Sequence, residues 1–223
     1  MNLLGIDTST AASAACVLRA DGEAFEAEPA VEALEAPPAH ARELMPSVAR
    51  CLEAAELDYS DLDTVAVGIG PGAFTGLRIG VTTARALAQA YGSELRPVSS
   101  LAALAWGIES RQRLPLIDAR RGELFAALYE DGEERMVAFA GPPEEVAARA
   151  LEAGGNPLAA GDGSIRFREV LEAVGLRVEP AGSRAHVVRG LSVCRLAVAT
   201  PPTLPEAVLP DYLRLPDAKP RSR

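Results

Sequence analysis

The stretch Gly70-Pro71-Gly72-Ala73-Phe74-Thr75-Gly76-Leu77-Arg78-Ile79-Gly80 decides how the rest of the chain is read. It follows an apolar run, Val65 to Ile69, and opens into a long alanine-rich pattern of helical period. Four glycines and a proline between a strand and a helix bend the backbone tightly and let its N–H groups approach another group closely. Such a loop is either a turn whose glycines relieve steric crowding or a seat for a phosphate or a neighbouring chain.

Outward from that loop, the first hundred residues have a definite order. Strands are expected at 2–7, 13–19 and 23–31, a helix at 40–55, a strand at 64–69, a helix at 75–91, a strand at 95–99 and a helix at 101–110. Three meandering strands followed by alternating helices and strands is the order of a ribonuclease-H-like lobe. About 110 residues later the pattern restarts: Leu116-Ile117-Asp118 echoes Gly5-Ile6-Asp7, and Asp131-Gly132-Glu133 echoes Asp21-Gly22-Glu23. Strands are then expected at 114–118, 123–130, 135–140 and 158–160, with helices at 143–153 and 165–174. The reading is a duplicated α/β chain, with residues 1–99 as one lobe, 100–215 as a smaller second lobe and 216–223 as a tail.

Composition bounds the function. The net charge of −9 opposes nucleic-acid binding by this chain alone, since that affinity comes largely from neutralising phosphates. The sole lysine is Lys219, so there is no P-loop lysine. Cys16, Cys51 and Cys194 are odd in number and widely spaced, which fits reduced thiols rather than a disulfide framework or a zinc cluster. No apolar run approaches a membrane span, and the N-terminus lacks the pattern of a signal peptide, so a cytoplasmic protein is expected.

Asp7-Thr8-Ser9 lies at the first hairpin, where related folds hold ATP phosphates; such use normally wants a glycine where this chain has Thr8 or Ser9. Asp118 and Arg120 occupy the matching hairpin of the second lobe, either as a salt-bridge cluster or as groups facing a cleft ligand. His40 and His186 have no ligand-spaced partners, and no metal site is expected. Gly76, Gly80, Ala84 and Ala88 recur every four residues, making a smooth groove beside Leu77 and Val81 on the second helix. The first helix offers Leu44, Val48, Cys51 and Leu52 at helical spacing. Both helices either cover their own sheet or leave a face for another helix.

The stretches Ile6-Asp7-Thr8-Ser9, His40 through Pro46, Gly70 through Gly80, Ile117 through Glu123, Gly161-Asp162-Gly163 and Pro210 through Arg214 together resemble the TsaB (YeaZ) family, from end to end and in order. The resemblance implies an actin-like ATPase (ASKHA) fold of two ribonuclease-H-like lobes, the second reduced. It implies a non-catalytic subunit for transfer of a threonylcarbamoyl group to the anticodon-adjacent adenosine of tRNA. The catalyst there is a metal-dependent paralogue, TsaD, whose metal histidines correspond to Ser100 and Leu104 here. A small ATPase, TsaE, joins the pair, and tRNA is held by the complex. The partner bundle is carried by the first two helices, which also permits a homodimer, and the expected interface is His40, Leu44, Val48, Cys51, Leu52, Gly76, Leu77, Gly80, Val81, Ala84 and Ala88. No cofactor is implied. The alternative is an ATP-binding phosphotransferase or glycoprotease-like enzyme using the cleft around Asp7, Thr8, Ser9, Asp118 and Arg120.

Overall fold

A computed structural model describes residues 1–213; the tail expected at 216–223 and Arg214 of the last motif lie outside the described residues. The first sheet is built from β1 (Leu3–Asp7), β2 (Ala14–Leu18), β3 (Ala24–Ala27), β4 (Thr64–Gly70) and β5 (Glu94–Ser99) in the order β3-β2-β1-β4-β5. The β1–β2 and β2–β3 pairs are antiparallel, and β1–β4 and β4–β5 are parallel. β1 and β2 are buried along their whole length, which explains why they read as unbroken apolar runs instead of alternating ones.

The second sheet repeats the plan. β6 (Gln112–Arg120), β7 (Glu123–Glu130), β8 (Glu133–Gly141), β9 (Leu158–Ala160) and β10 (Arg177–Val178) lie in the order β10-β9-β6-β7-β8. β6–β7 and β7–β8 are antiparallel, while β6–β9 and β9–β10 are parallel. Each element of the first sheet thus has a counterpart at the same place, and the chain has the actin-like α/β fold of two related lobes, the second reduced.

Five layers result. α1 (His40–Ala54) and α2 (Phe74–Tyr91) cover one face of the first sheet, where Leu44, Val48, Val81 and Ala84 meet Leu4, Ile6, Val65 and Val67. α3 (Ser100–Trp106) and α7 (Gly190–Ala197) fill the space between the sheets, joining Leu3 and Cys16 to Ile117 and Phe125. α4 (Pro143–Glu152) and α6 (Arg168–Ala173) close the far face of the second sheet; α5 (Asp162–Arg166) follows β9. The helix expected at 165–174 is therefore two pieces, broken at Phe167.

α7 and β10 stand in a stretch where the sequence suggested no element. α7 follows the second lobe in the chain yet packs on β1 and β2: a Cβ on Gly5 would lie 2.6 Å from Cys194 Sγ and from the Gly190 carbonyl. The three cysteines are free and buried. The proline-rich segment after Thr200 returns along the first lobe, with Thr203 N donating to Leu95 O at 2.8 Å and Asp211 N to Ile69 O at 2.7 Å. Among the described residues no helix is long and apolar enough to cross a membrane.

Candidate functional site

The glycine loop is explained by the first hairpin. Thr8 Oγ1 donates to Gly76 O at 2.7 Å, and Ala73 N donates to Ser9 O at 2.7 Å. A Cβ on Gly72 would fall 2.4 Å from Ser9 O, one on Gly76 2.0 Å from Thr8 O, and one on Gly80 2.3 Å from Thr8 Oγ1. Three of the four glycines are thus glycines because the β1–β2 hairpin lies against α2. The fourth, Gly70, takes φ +118, a conformation that side chains rarely adopt.

Asp7 is inside this joint, 1% exposed. Its Oδ1 accepts from Ser9 N at 2.7 Å and Ser9 Oγ at 2.6 Å, and its Oδ2 from Ser100 Oγ at 2.6 Å. Ser100 Oγ in turn accepts from Gly70 N at 3.1 Å. A Cβ on Gly68 would sit 1.7 Å from Asp7 Oδ2, so β4 presses directly on the carboxyl. Burial raises the Asp7 pKa, opposed by the Ser100 and Ser9 hydrogen bonds. Both oxygens are spent locking β1, β4 and α3 together, and Thr8 and Ser9 are equally buried. The expectation that Asp7, Thr8 and Ser9 face a cleft is corrected: α2 covers the hairpin where a nucleotide phosphate would lie.

Asp118 and Arg120 do reach open space. They line a cavity of about 520 Å³ with Asp162, Arg166, Glu35 and Pro38. Asp118 Oδ1 accepts from Arg120 N at 2.8 Å; its Oδ2 accepts from Arg120 Nη1 at 3.1 Å and Arg166 Nη1 at 2.9 Å. The salt-bridge cluster expected here is present, and it holds Arg120 at φ 65, an unusual backbone conformation for a side-chain-bearing residue. Asp162, which sequence reasoning did not single out as a site residue, accepts at Oδ1 from Asp118 N at 3.0 Å and Gly163 N at 2.8 Å. Burial pushes its pKa up to about 6. The only sequence signal for it was its place in Gly161-Asp162-Gly163.

The histidines are held separately. His40 Nδ1 lies 2.8 Å from Ser13 Oγ, and Nε2 is buried against Gly76 without a hydrogen-bond partner. Burial lowers its pKa, which Asp7 opposes. His186 Nδ1 accepts from Gly161 N at 3.0 Å and its Nε2 donates to Pro180 O at 2.9 Å. Among the described residues no three His, Cys, Asp or Glu side chains converge as a metal site would require.

The expected partner residues are the inner faces of their helices. His40, Leu44, Val48, Cys51, Leu52, Gly76, Leu77, Gly80, Val81, Ala84 and Ala88 are all buried in the monomer. Their spacing belongs to the core of the first lobe, and the small-residue groove is occupied by Thr8 and the sheet. A partner would meet the opposite faces instead. There Ala41, Met45 and Ala49 of α1 and Thr75, Thr82 and Ala86 of α2 are exposed, with Ile79 half-buried. At the end of α2, Phe74 stacks on Tyr212 with ring centroids 5.1 Å apart, and the Arg78 guanidinium lies 3.8 Å from the Phe74 ring centroid.

Two duplicated lobes, a sealed first hairpin and glycines that seat it define a class of actin-like proteins without an open phosphate hairpin. A family profile described as TsaD, tRNA N6-adenosine threonylcarbamoyltransferase, matches residues 34–208. An uncharacterized protein of Mycobacterium leprae is 37% identical over 98% of this chain, which spans only 56% of that protein's length. The tRNA threonylcarbamoyladenosine biosynthesis protein TsaB of Bacillus subtilis is 35% identical over 58% of this chain and 56% of its own. A crystal structure from Pseudomonas aeruginosa, described as an uncharacterized protein with similarity to peptidase YEAZ, superposes with a TM-score of 0.78 at 32% identity, covering 96% of this chain and 99% of that one. The chain belongs to the TsaB (YeaZ) family.

Proposed function

We propose that this chain is a non-catalytic partner subunit in threonylcarbamoyladenosine modification of tRNA, acting by docking a TsaD-like catalytic paralogue on the outer faces of α1 and α2. The observation that carries the reading is the use of Ser100. It stands where the paralogue family has a metal-binding histidine, and its hydroxyl is committed to Asp7 and to Gly70 N. The groups that would do chemistry in this fold are here structural. On this reading the chain works in the cytoplasm, a TsaE-like ATPase joins the pair, and tRNA is bound by the assembly, in keeping with the chain's net charge of −9. A homodimer through the same helices is the resting alternative to the heterodimer.

Docking through the outer faces is tested with Ala49→Lys and Ala86→Lys, bulky changes at exposed positions that leave the core untouched. Each variant should stay folded by circular dichroism and lose co-purification with the paralogue of its own organism. Co-purification retained by both variants refutes the placement.

A further inference from the structure

α2 carries Arg78 and Arg85 and no acidic residue, although Asp and Glu outnumber Lys and Arg by 31 to 22 in the chain as a whole. Arg42 and Arg50 stand on the exposed side of α1. Elsewhere in the molecule arginines find carboxylates readily: Arg19, Arg96, Arg111, Arg120, Arg166 and Arg189 all form ion pairs. Among the described residues the four arginines on α1 and α2 form none. Arg50 reaches only Ser47 Oγ, at 2.9 Å, and Arg78 only Tyr212 Oη, at 3.0 Å, while lying over the Phe74 ring. An acidic protein has kept positive charge without internal neutralisation on the one helix pair whose outer face is apolar and unpartnered.

From this we infer that the face is built for an acidic helical partner and against a second copy of this chain. The inference rests on the docking proposed above and adds the chemistry of the occupant. Arg78 and Arg85 are seven residues apart, two turns or about 10 Å along the helix. A partner helix with carboxylates at the same spacing answers both while its apolar side covers Met45, Ala49, Ile79 and Ala86. An RNA backbone also offers negative charge, but has nothing to bury against that apolar surface, so a protein helix fits better. In a two-fold pair the same patch meets itself. α2 then faces arginines with arginines, and the only carboxylates exposed on α1, Glu43 and Glu53, do no more than match Arg42 and Arg50. Like-charge juxtaposition of this kind suppresses the wrong partner more than it strengthens the right one.

The two assemblies should therefore respond to salt in opposite directions. Screening at 0.3 M salt, relative to 20 mM, should weaken binding to the paralogue and strengthen self-association. The test uses the full chain, its paralogue, and the double variant Arg78→Glu with Arg85→Glu, both at exposed or half-exposed sites. Paralogue affinity is read by isothermal titration, self-association by sedimentation, and tRNA binding by gel shift. The expected result is paralogue binding weaker by about tenfold or more in the double variant, with tighter self-association at low salt. Paralogue affinity unchanged within about twofold, or indifferent to salt in the wild type, overturns the charge assignment while leaving docking intact. Loss of tRNA binding with paralogue binding unchanged would assign the arginines to nucleic acid and also overturn it. If the wild-type chain shows no association with the paralogue, both the docking proposal and this inference fall.

Discussion

Replacing Gly80 by alanine tests whether the small residues of α2 serve the hairpin or a partner. In an ordinary helix interior the change stabilises by about 1 kcal/mol. Here the new Cβ would lie 2.3 Å from Thr8 Oγ1. Overpacking of that order costs about 1–3 kcal/mol, and swinging the hydroxyl aside forfeits its bond to Gly76 O, worth about 1 kcal/mol more. Gly80→Ala should thus destabilise the monomer by about 1–3 kcal/mol. In a Thr8→Ala background the nearest remaining atom is Thr8 Cβ at 3.6 Å, an ordinary contact. There the same change should be neutral or stabilising by up to about 1 kcal/mol, giving a coupling of about 2–3 kcal/mol between residues 72 positions apart in sequence. Urea denaturation of the four proteins, followed by circular dichroism, measures it. Additivity within about 0.5 kcal/mol, or a Gly80→Ala monomer as stable as wild type, would mean that the hairpin does not dictate the glycine.

Asp162→Asn keeps the Oδ1 acceptor for Asp118 N and Gly163 N and removes a charge that burial disfavours. With the folded pKa at about 6 against 3.8 unfolded, the acid holds its proton more tightly when folded, so its contribution falls as pH rises through this window. The variant should gain about 2–3 kcal/mol at pH 7 and almost nothing at pH 3.5; a less stable variant at pH 7 contradicts this. The opposite sign applies to His186, whose pKa burial lowers and whose Nδ1 accepts from Gly161 N. Its neutral form supports the fold above the unfolded value of 6.5, and that support is lost as pH falls through 6.5 towards the folded value. The stability difference between wild type and His186→Gln should therefore shrink between pH 7.5 and 5.5 in thermal melts, and a constant difference refutes it.

Much of the fold was legible because its signals are local. The echo of Gly5-Ile6-Asp7 in Leu116-Ile117-Asp118 falls on β1 and β6, the central strands of two sheets with matching order. α2 ends where its glycine suggests, with Gly92 at φ 74 as the C-cap. α7 was not legible: it is eight residues long, begins at Gly190 without a side-chain cap, and is fixed by packing on β1 and β2 rather than by propensity. The site was half legible. Asp118 and Arg120 formed the expected cluster, while the apolar spacing of Leu44, Val48, Gly80 and Ala84 was real but pointed inward. Periodicity marks an apolar face without naming what covers it. The meaning of Gly76 and Gly80 depends on Thr8, which no local window connects to them.

The central claim is that this chain acts in tRNA modification through a docking face and not through the Asp7 hairpin. Its most direct test is the threonylcarbamoyladenosine content of bulk tRNA, measured by nucleoside mass spectrometry after depletion of this protein in its own organism. The account predicts loss of the nucleoside, restored by wild type and not by a variant carrying both Ala49→Lys and Ala86→Lys. Undiminished nucleoside after depletion, or full restoration by that doubly substituted chain, would contradict it.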